Sequence, residues 1–86
     1  MIPEGVLVCL KQGILQRINF VYVDLKYCLK YRETSRYMED CYKDLQDAVE
    51  FYFKHEIFGD KKIRRKMRVI DALYKQYEEM KKREVA

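Results

Sequence analysis

Six cations fall within eight residues at 61–68: Lys61, Lys62, Arg64, Arg65, Lys66 and Arg68, with no acid among them. Such a density of ammonium and guanidinium groups can track nucleic-acid phosphates, with sequence-tolerant, salt-dependent binding. Read as a helix, Lys61, Arg64, Arg65 and Arg68 share one outward face, and Lys62 and Lys66 lie nearer the core edge. The segment opens a helix, where cations oppose the macrodipole, so local helix stability does not account for them. No aromatic residue interleaves the run, so base stacking is not indicated. Two targets fit: nucleic acid, or an acidic protein face, including the second helix of this chain in the same or another copy.

Other reactive residues are sparse. The only histidine, His55, sits beside a turn, and no serine lies in a nucleophile-elbow pattern. No glycine-rich loop is available to cradle a phosphate. Asp40, Asp44 and Asp47 face outward on a helix, away from any cleft that would shift their pKa values. Three cysteines, Cys9, Cys28 and Cys41, fall on apolar faces with no CxxC spacing. That pattern argues against a disulfide scaffold or zinc site and for buried thiols in a reducing, cytoplasmic setting. No catalytic residue, cofactor, metal or small-molecule substrate is expected.

The elements that carry these residues are helical. The chain has 86 residues, 49% hydrophobic and 37% charged, with 3 Gly, 1 Pro and a net charge of +4. This describes one domain over 1–86, globular rather than disordered, and short enough that self-association would help its core. The segment 7–31 organises the rest. At about 100° per residue, Leu7, Leu10, Ile14, Leu15, Ile18, Val21, Tyr22, Leu25, Cys28 and Leu29 share one face. Cys9, Phe20, Val23, Tyr27 and Tyr31 share a second face, about 150° away by the same geometry. Arg17 and Asp24 separate the two on one side; Gln12, Asn19, Lys26 and Lys30 do so on the other. A surface helix has one apolar stripe, so a helix apolar on two sides is covered on two sides.

Pro3 and Glu4 suit the start of this helix. Gly13 lies on the second face, either as a tolerated glycine or as a point of close backbone approach. Lys11, Gln12 and Arg17 interrupt the apolar run, so neither a signal peptide nor a membrane span is expected.

A turn is expected at 32–35, with Thr34 or Ser35 capping a second helix over 37–54. Met38, Cys41, Tyr42, Leu45, Ala48, Val49, Tyr52 and Phe53 form its stripe; Glu39, Asp40, Asp44, Asp47 and Glu50 make its outward face acidic. The alternative is one unbroken rod, with this stripe continuing the second face of the first helix. Residues 55–60 are the clearest break. Gly59 suits a left-handed cap, Asp60 suits an N-cap, and Ile57 and Phe58 are expected to tuck beneath the turn. A third helix over 61–83 packs Ile63, Met67, Ile70, Tyr74 and Tyr77 inward. Its far end offers the i, i+4 pairs Asp71–Lys75, Glu78–Lys82 and Glu79–Arg83, and 84–86 is expected to fray. Of the eight tyrosines, Tyr27 and Tyr31 favour an interface, where tyrosine is enriched.

Ala48, Val49, Glu50, Phe51 and Tyr52, then a turn, then Ile63, Arg64, Arg65, Lys66, Tyr74, Glu78 and Lys81, resemble the last two helices of microtubule-interacting and transport domains. The resemblance covers the second half of the chain and implies a three-helix adaptor that binds short helical tails in a groove. The first helix here is longer, has a second apolar face, and lacks that family's glycine-bearing turn before the second helix.

The expected fold is all-α: a long two-faced N-terminal helix plus a helical hairpin, a three-helix bundle completed by oligomerisation. The expected function is a non-enzymatic protein–protein interaction or assembly module. It self-associates, most simply as a homodimer, through Phe20, Val23, Tyr27 and Tyr31. The alternative is nucleic-acid binding through Lys61, Arg64, Arg65 and Arg68.

Overall fold

The computed structural model describes residues 3–55 and 59–85, which form three helices: α1 (Glu4–Tyr31), α2 (Arg36–His55) and α3 (Lys61–Val85). The chain is an all-α three-helix bundle. The helices pack around α1, whose backbone lies close to both α2 and α3. Among the described residues, α2 and α3 never bring their Cα atoms within 8 Å of each other, and long side chains such as Tyr42, Tyr74 and Tyr77 bridge between them.

The core follows the periodicities of the three helices. Ile14, Ile18, Val21, Leu25 and Cys28 of α1 meet Met38, Tyr42, Leu45, Val49 and Tyr52 of α2 and Ile63, Met67, Ile70 and Tyr77 of α3. Leu7, Leu10, Leu15 and Leu29 are partly buried at the edges. Tyr22, expected on this face, is instead exposed, because it lies at the margin of the arc that the neighbouring helices cover.

The unbroken rod does not form. Arg32 ends α1 in the left-handed conformation, φ 53° and ψ 46°, and its N–H and that of Glu33 both donate to the Cys28 carbonyl. This closes the helix in the manner that glycine usually serves, here with a Cβ present. Ser35 then caps α2: its Oγ accepts from the Met38 N–H at 3.1 Å. At α3, Asp60 Oδ1 accepts from the Ile63 N–H at 3.1 Å.

Several expectations need correcting. Gly59 does not take a left-handed conformation; Arg32 is the described residue that does. Of the two alternatives for Gly13, the tolerated glycine fits: among the described residues a Cβ there would meet nothing within 4 Å. α3 continues to Val85, past the expected end. Ile57 and Phe58 lie outside the described residues. By length and composition, α1 is also long and apolar enough to cross a membrane, despite Lys11 and Arg17. In the bundle its main face is taken up by α2 and α3.

The molecule is elongated, 48 × 20 × 18 Å, with a radius of gyration of 14.3 Å. A compact chain of this length would be near 12 Å, about what chain-length scaling gives. A rod of three helices has a thin core and a large lateral surface, and that lateral surface carries the features described next.

Candidate interaction surfaces

The second face of α1 is uncovered. Phe20, Val23, Tyr27 and Tyr31 are between 44% (Phe20) and 62% (Val23) exposed, too open to be core. Tyr37, at the start of α2, sets its ring edge-on to Phe20 with centroids 5.9 Å apart, and it too is exposed. Tyr27 and Tyr31 lie one turn apart with centroids at 4.7 Å. The result is an aromatic strip along the side of α1, broadened by Tyr37. The sequence reading missed Tyr37, because only the turn at 32–35 swings it beside a residue 17 positions earlier. Toward α3 the strip runs into a groove of about 630 Å³ lined by Tyr27, Leu29, Lys30, Tyr31, Leu73 and Gln76. Toward the N-terminus it continues through Gly13 and Cys9. The Cys9 thiol is exposed, a correction to the expectation of three buried thiols; Cys28 is buried, which pushes its thiol pKa up, and Cys41 is half-buried.

The basic ridge also faces outward. Lys61, Lys62, Arg64, Arg65 and Arg68 are exposed, and Lys66 is half-buried. Among the described residues, no carboxylate lies within 4 Å of Lys61, Arg65 or Arg68. Arg64 differs: its guanidinium carbon sits 4.0 Å from the centroid of the Phe53 ring, a cation–π contact with α2. An aromatic does accompany the ridge, therefore, but from the neighbouring helix and beneath an arginine.

The acidic face of α2 is less uniform than its sequence implies. Asp40, Asp44, Asp47 and Glu50 are exposed. Glu39 turns inward to α3, where it accepts from Tyr77 Oη at 2.6 Å and from Lys81 Nζ at 2.9 Å. The Tyr77 hydrogen bond, helped by Lys81 and opposed by burial, holds the Glu39 carboxyl below its ordinary pKa. Tyr77 Oη also accepts from the Ser35 N–H at 3.0 Å, so one buried phenol joins α3 to the cap of α2.

On α3, Asp71 is likewise taken across the bundle. It accepts from Tyr42 Oη at 2.6 Å, and no ion pair joins it to Lys75. Burial, then the hydrogen bond to Asp71, pushes the Tyr42 phenol pKa far up. Tyr42 stacks on Tyr74, centroids 3.8 Å apart and 11° from parallel. These long side chains hold α2 and α3 apart. Beside them lies a groove of about 410 Å³ bordered by Gln46, Asp47, Val49, Glu50, Met67 and Asp71.

No family model matches the chain, and neither a curated protein nor a solved structure matches it. The likeness of its second half to microtubule-interacting and transport domains therefore rests on the quoted residues alone.

Among the described residues there is no group of three or more His, Cys, Asp or Glu placed to hold a metal ion. His55 is exposed at the end of α2, its ring 4.6 Å from that of exposed Phe51.

Proposed function

We propose that this chain is a non-enzymatic helical assembly module that binds a second copy of itself through the uncovered face of α1. The observation that supports it is the aromatic strip: Phe20, Val23, Tyr27 and Tyr31 remain exposed after α2 and α3 have used the other face of the same helix. Contiguous exposed apolar surface is characteristic of interaction sites, and tyrosine and phenylalanine are enriched there. The elongated bundle, with its thin core, gains apolar burial by pairing side to side. Its free thiols suit a reducing compartment such as the cytoplasm.

The test is solution mass by light scattering or sedimentation over a range of concentrations. A dimer is expected for the unmodified chain. Phe20→Glu with Val23→Glu should yield monomers of unchanged helical signal, because neither side chain belongs to the core. A monomeric unmodified chain at high concentration would overturn the proposal.

A second reading is supported by the basic ridge. Lys61, Arg65 and Arg68 are exposed and have no carboxylate partner in the described chain, so an external polyanion such as nucleic acid can take all three.

A further inference from the structure

We infer that the second copy lies antiparallel on α1, across a twofold axis beside Phe20, so that Tyr27 of each copy covers Gly13 of the other. This rests on the self-association proposed above and adds its geometry.

The first argument is size. Along the uncovered face the residues are Cys9, Gly13, Gln16, Phe20, Val23, Tyr27 and Tyr31, small at Cys9 and Gly13 and aromatic at Phe20, Tyr27 and Tyr31. Paired helices keep a nearly constant separation of about 8–10 Å. A parallel pair would set Gly13 against Gly13 and Tyr27 against Tyr27, which demands a wide gap at one end and a narrow one at the other. In an antiparallel pair with Phe20 opposite its own copy, Tyr27 comes seven residues later and meets Gly13, seven residues earlier. By the same count Tyr31 meets Cys9. Large then packs on small at both ends of the strip, and the two Phe20 rings meet at the centre. The space at Gly13 is open, since a Cβ there would meet nothing within 4 Å.

The second argument is charge. In an antiparallel pair each flank of the strip faces the same flank of the other copy. Arg17 and Asp24 share the flank beside α2, and Arg17 of one copy falls within about one helical rise, 1.5 Å along the axis, of the level of Asp24 of the other. Two symmetry-related ion pairs result. On the opposite flank the level of Gln12 falls between Lys26 and Lys30, about two helical rises, 3 Å along the axis, from each, without a like-charge contact. The third argument is the groove beside Tyr27 and Tyr31. That flank receives the start of the other copy's α1, where Val8 is exposed and otherwise uncovered.

Cys9 reads the orientation. In the antiparallel pair the two Cys9 residues are about 33 Å apart along the axis; in a parallel pair they face each other within about 10 Å. The experiment uses the full chain with Cys41→Ser, leaving Cys9 as the exposed thiol beside buried Cys28, and a short bismaleimide. No covalent dimer is expected from this protein. Adding Tyr31→Cys should produce dimers in which mass spectrometry finds position 31 joined to Cys9. A Cys9–Cys9 link would overturn the antiparallel geometry while leaving self-association standing. A monomer by light scattering before any cross-linking would instead remove the self-association itself.

Charge reversal gives an independent readout. Arg17→Asp should weaken the dimer by about tenfold through two like-charge contacts, and adding Asp24→Arg should restore it. A double variant weaker than either single variant would overturn the pairing.

Discussion

Lys11 Nζ and Asp60 Oδ2 lie 2.9 Å apart, and through this contact the start of α1 is tied to the first residue before α3. Asp60 is buried and also accepts from Tyr52 Oη of α2 at 3.2 Å and from the Ile63 N–H of α3. All three helices therefore converge on one carboxylate. Burial works to raise its pKa, but the Lys11 ammonium, the Ile63 N–H and the Tyr52 hydroxyl outweigh it and hold it below the ordinary value.

Asp60→Ala removes a helix cap, the hydrogen bond from Tyr52 Oη and the ion pair with Lys11. The expected loss is about 2–3 kcal/mol, summing a cap and a hydrogen bond to a charged group. Asp60→Asn, which keeps the cap, should lose less. Because the folded-state pKa is lowered, the stabilisation from this charge is complete above the ordinary carboxylate pKa. It disappears as pH falls through the folded-state value. Denaturant melts at neutral and acidic pH check both points: an Asp60→Ala variant as far below the native protein in acid as at neutrality would contradict the ionic part.

Tyr77→Phe tests the opposite end of the bundle. It deprives the Ser35 N–H of an acceptor and Glu39 of its shortest hydrogen bond. A loss of about 1–3 kcal/mol is expected in thermal or urea unfolding. The native protein should also show late-titrating phenols, because burial and carboxylate hydrogen bonds raise the pKa values of Tyr42 and Tyr77. Keeping these phenols neutral stabilises the fold below the ordinary tyrosine pKa, and that contribution is lost as pH rises through their higher folded values. Phenolate absorbance rising in a single early step would contradict this.

Arg32→Gly should stabilise the protein. A non-glycine residue in the left-handed region is unfavourable by about 1–2 kcal/mol, partly offset by the greater freedom of glycine in the unfolded chain. A gain of about 0.5–1 kcal/mol should raise Tm by a few degrees, at about 4–8 °C per kcal/mol for a domain of this size. An unchanged or lowered Tm would mean that the Arg32 side chain, 3.8 Å from Glu84, contributes more than its backbone conformation costs.

If the basic ridge engages nucleic acid, affinity should fall by about 0.9 log units per log unit of salt for each phosphate contacted. Arg65→Ala with Arg68→Ala should flatten that slope without altering the helical signal, since neither touches the core. Arg64→Ala would add a packing loss through Phe53. A slope identical in the native and double-variant proteins would show that the ridge makes no such contact.

The sequence by itself determined which side of each helix turns inward. Residues 14, 18, 21, 25 and 28 face the core because periodicity is a property of one helix about its own axis, and the same periodicity marks Phe20, Val23, Tyr27 and Tyr31 as a separate strip. A cap at Thr34 or Ser35 and one at Asp60 were legible because capping acts over three residues, and the structure selects Ser35 of the first pair. Contacts between helices were not legible in this way. That Glu39 turns inward to Tyr77 and Lys81, that Asp71 serves Tyr42 rather than Lys75, and that Lys11 reaches Asp60 depend on the distance and rotation between two axes. So does the meeting of Tyr37 with Phe20. Arg32 is the remaining case: a residue type that disfavours the left-handed region adopts it because the packing of α2 against α1 requires a reversal within four residues. Only the tertiary structure sets that requirement.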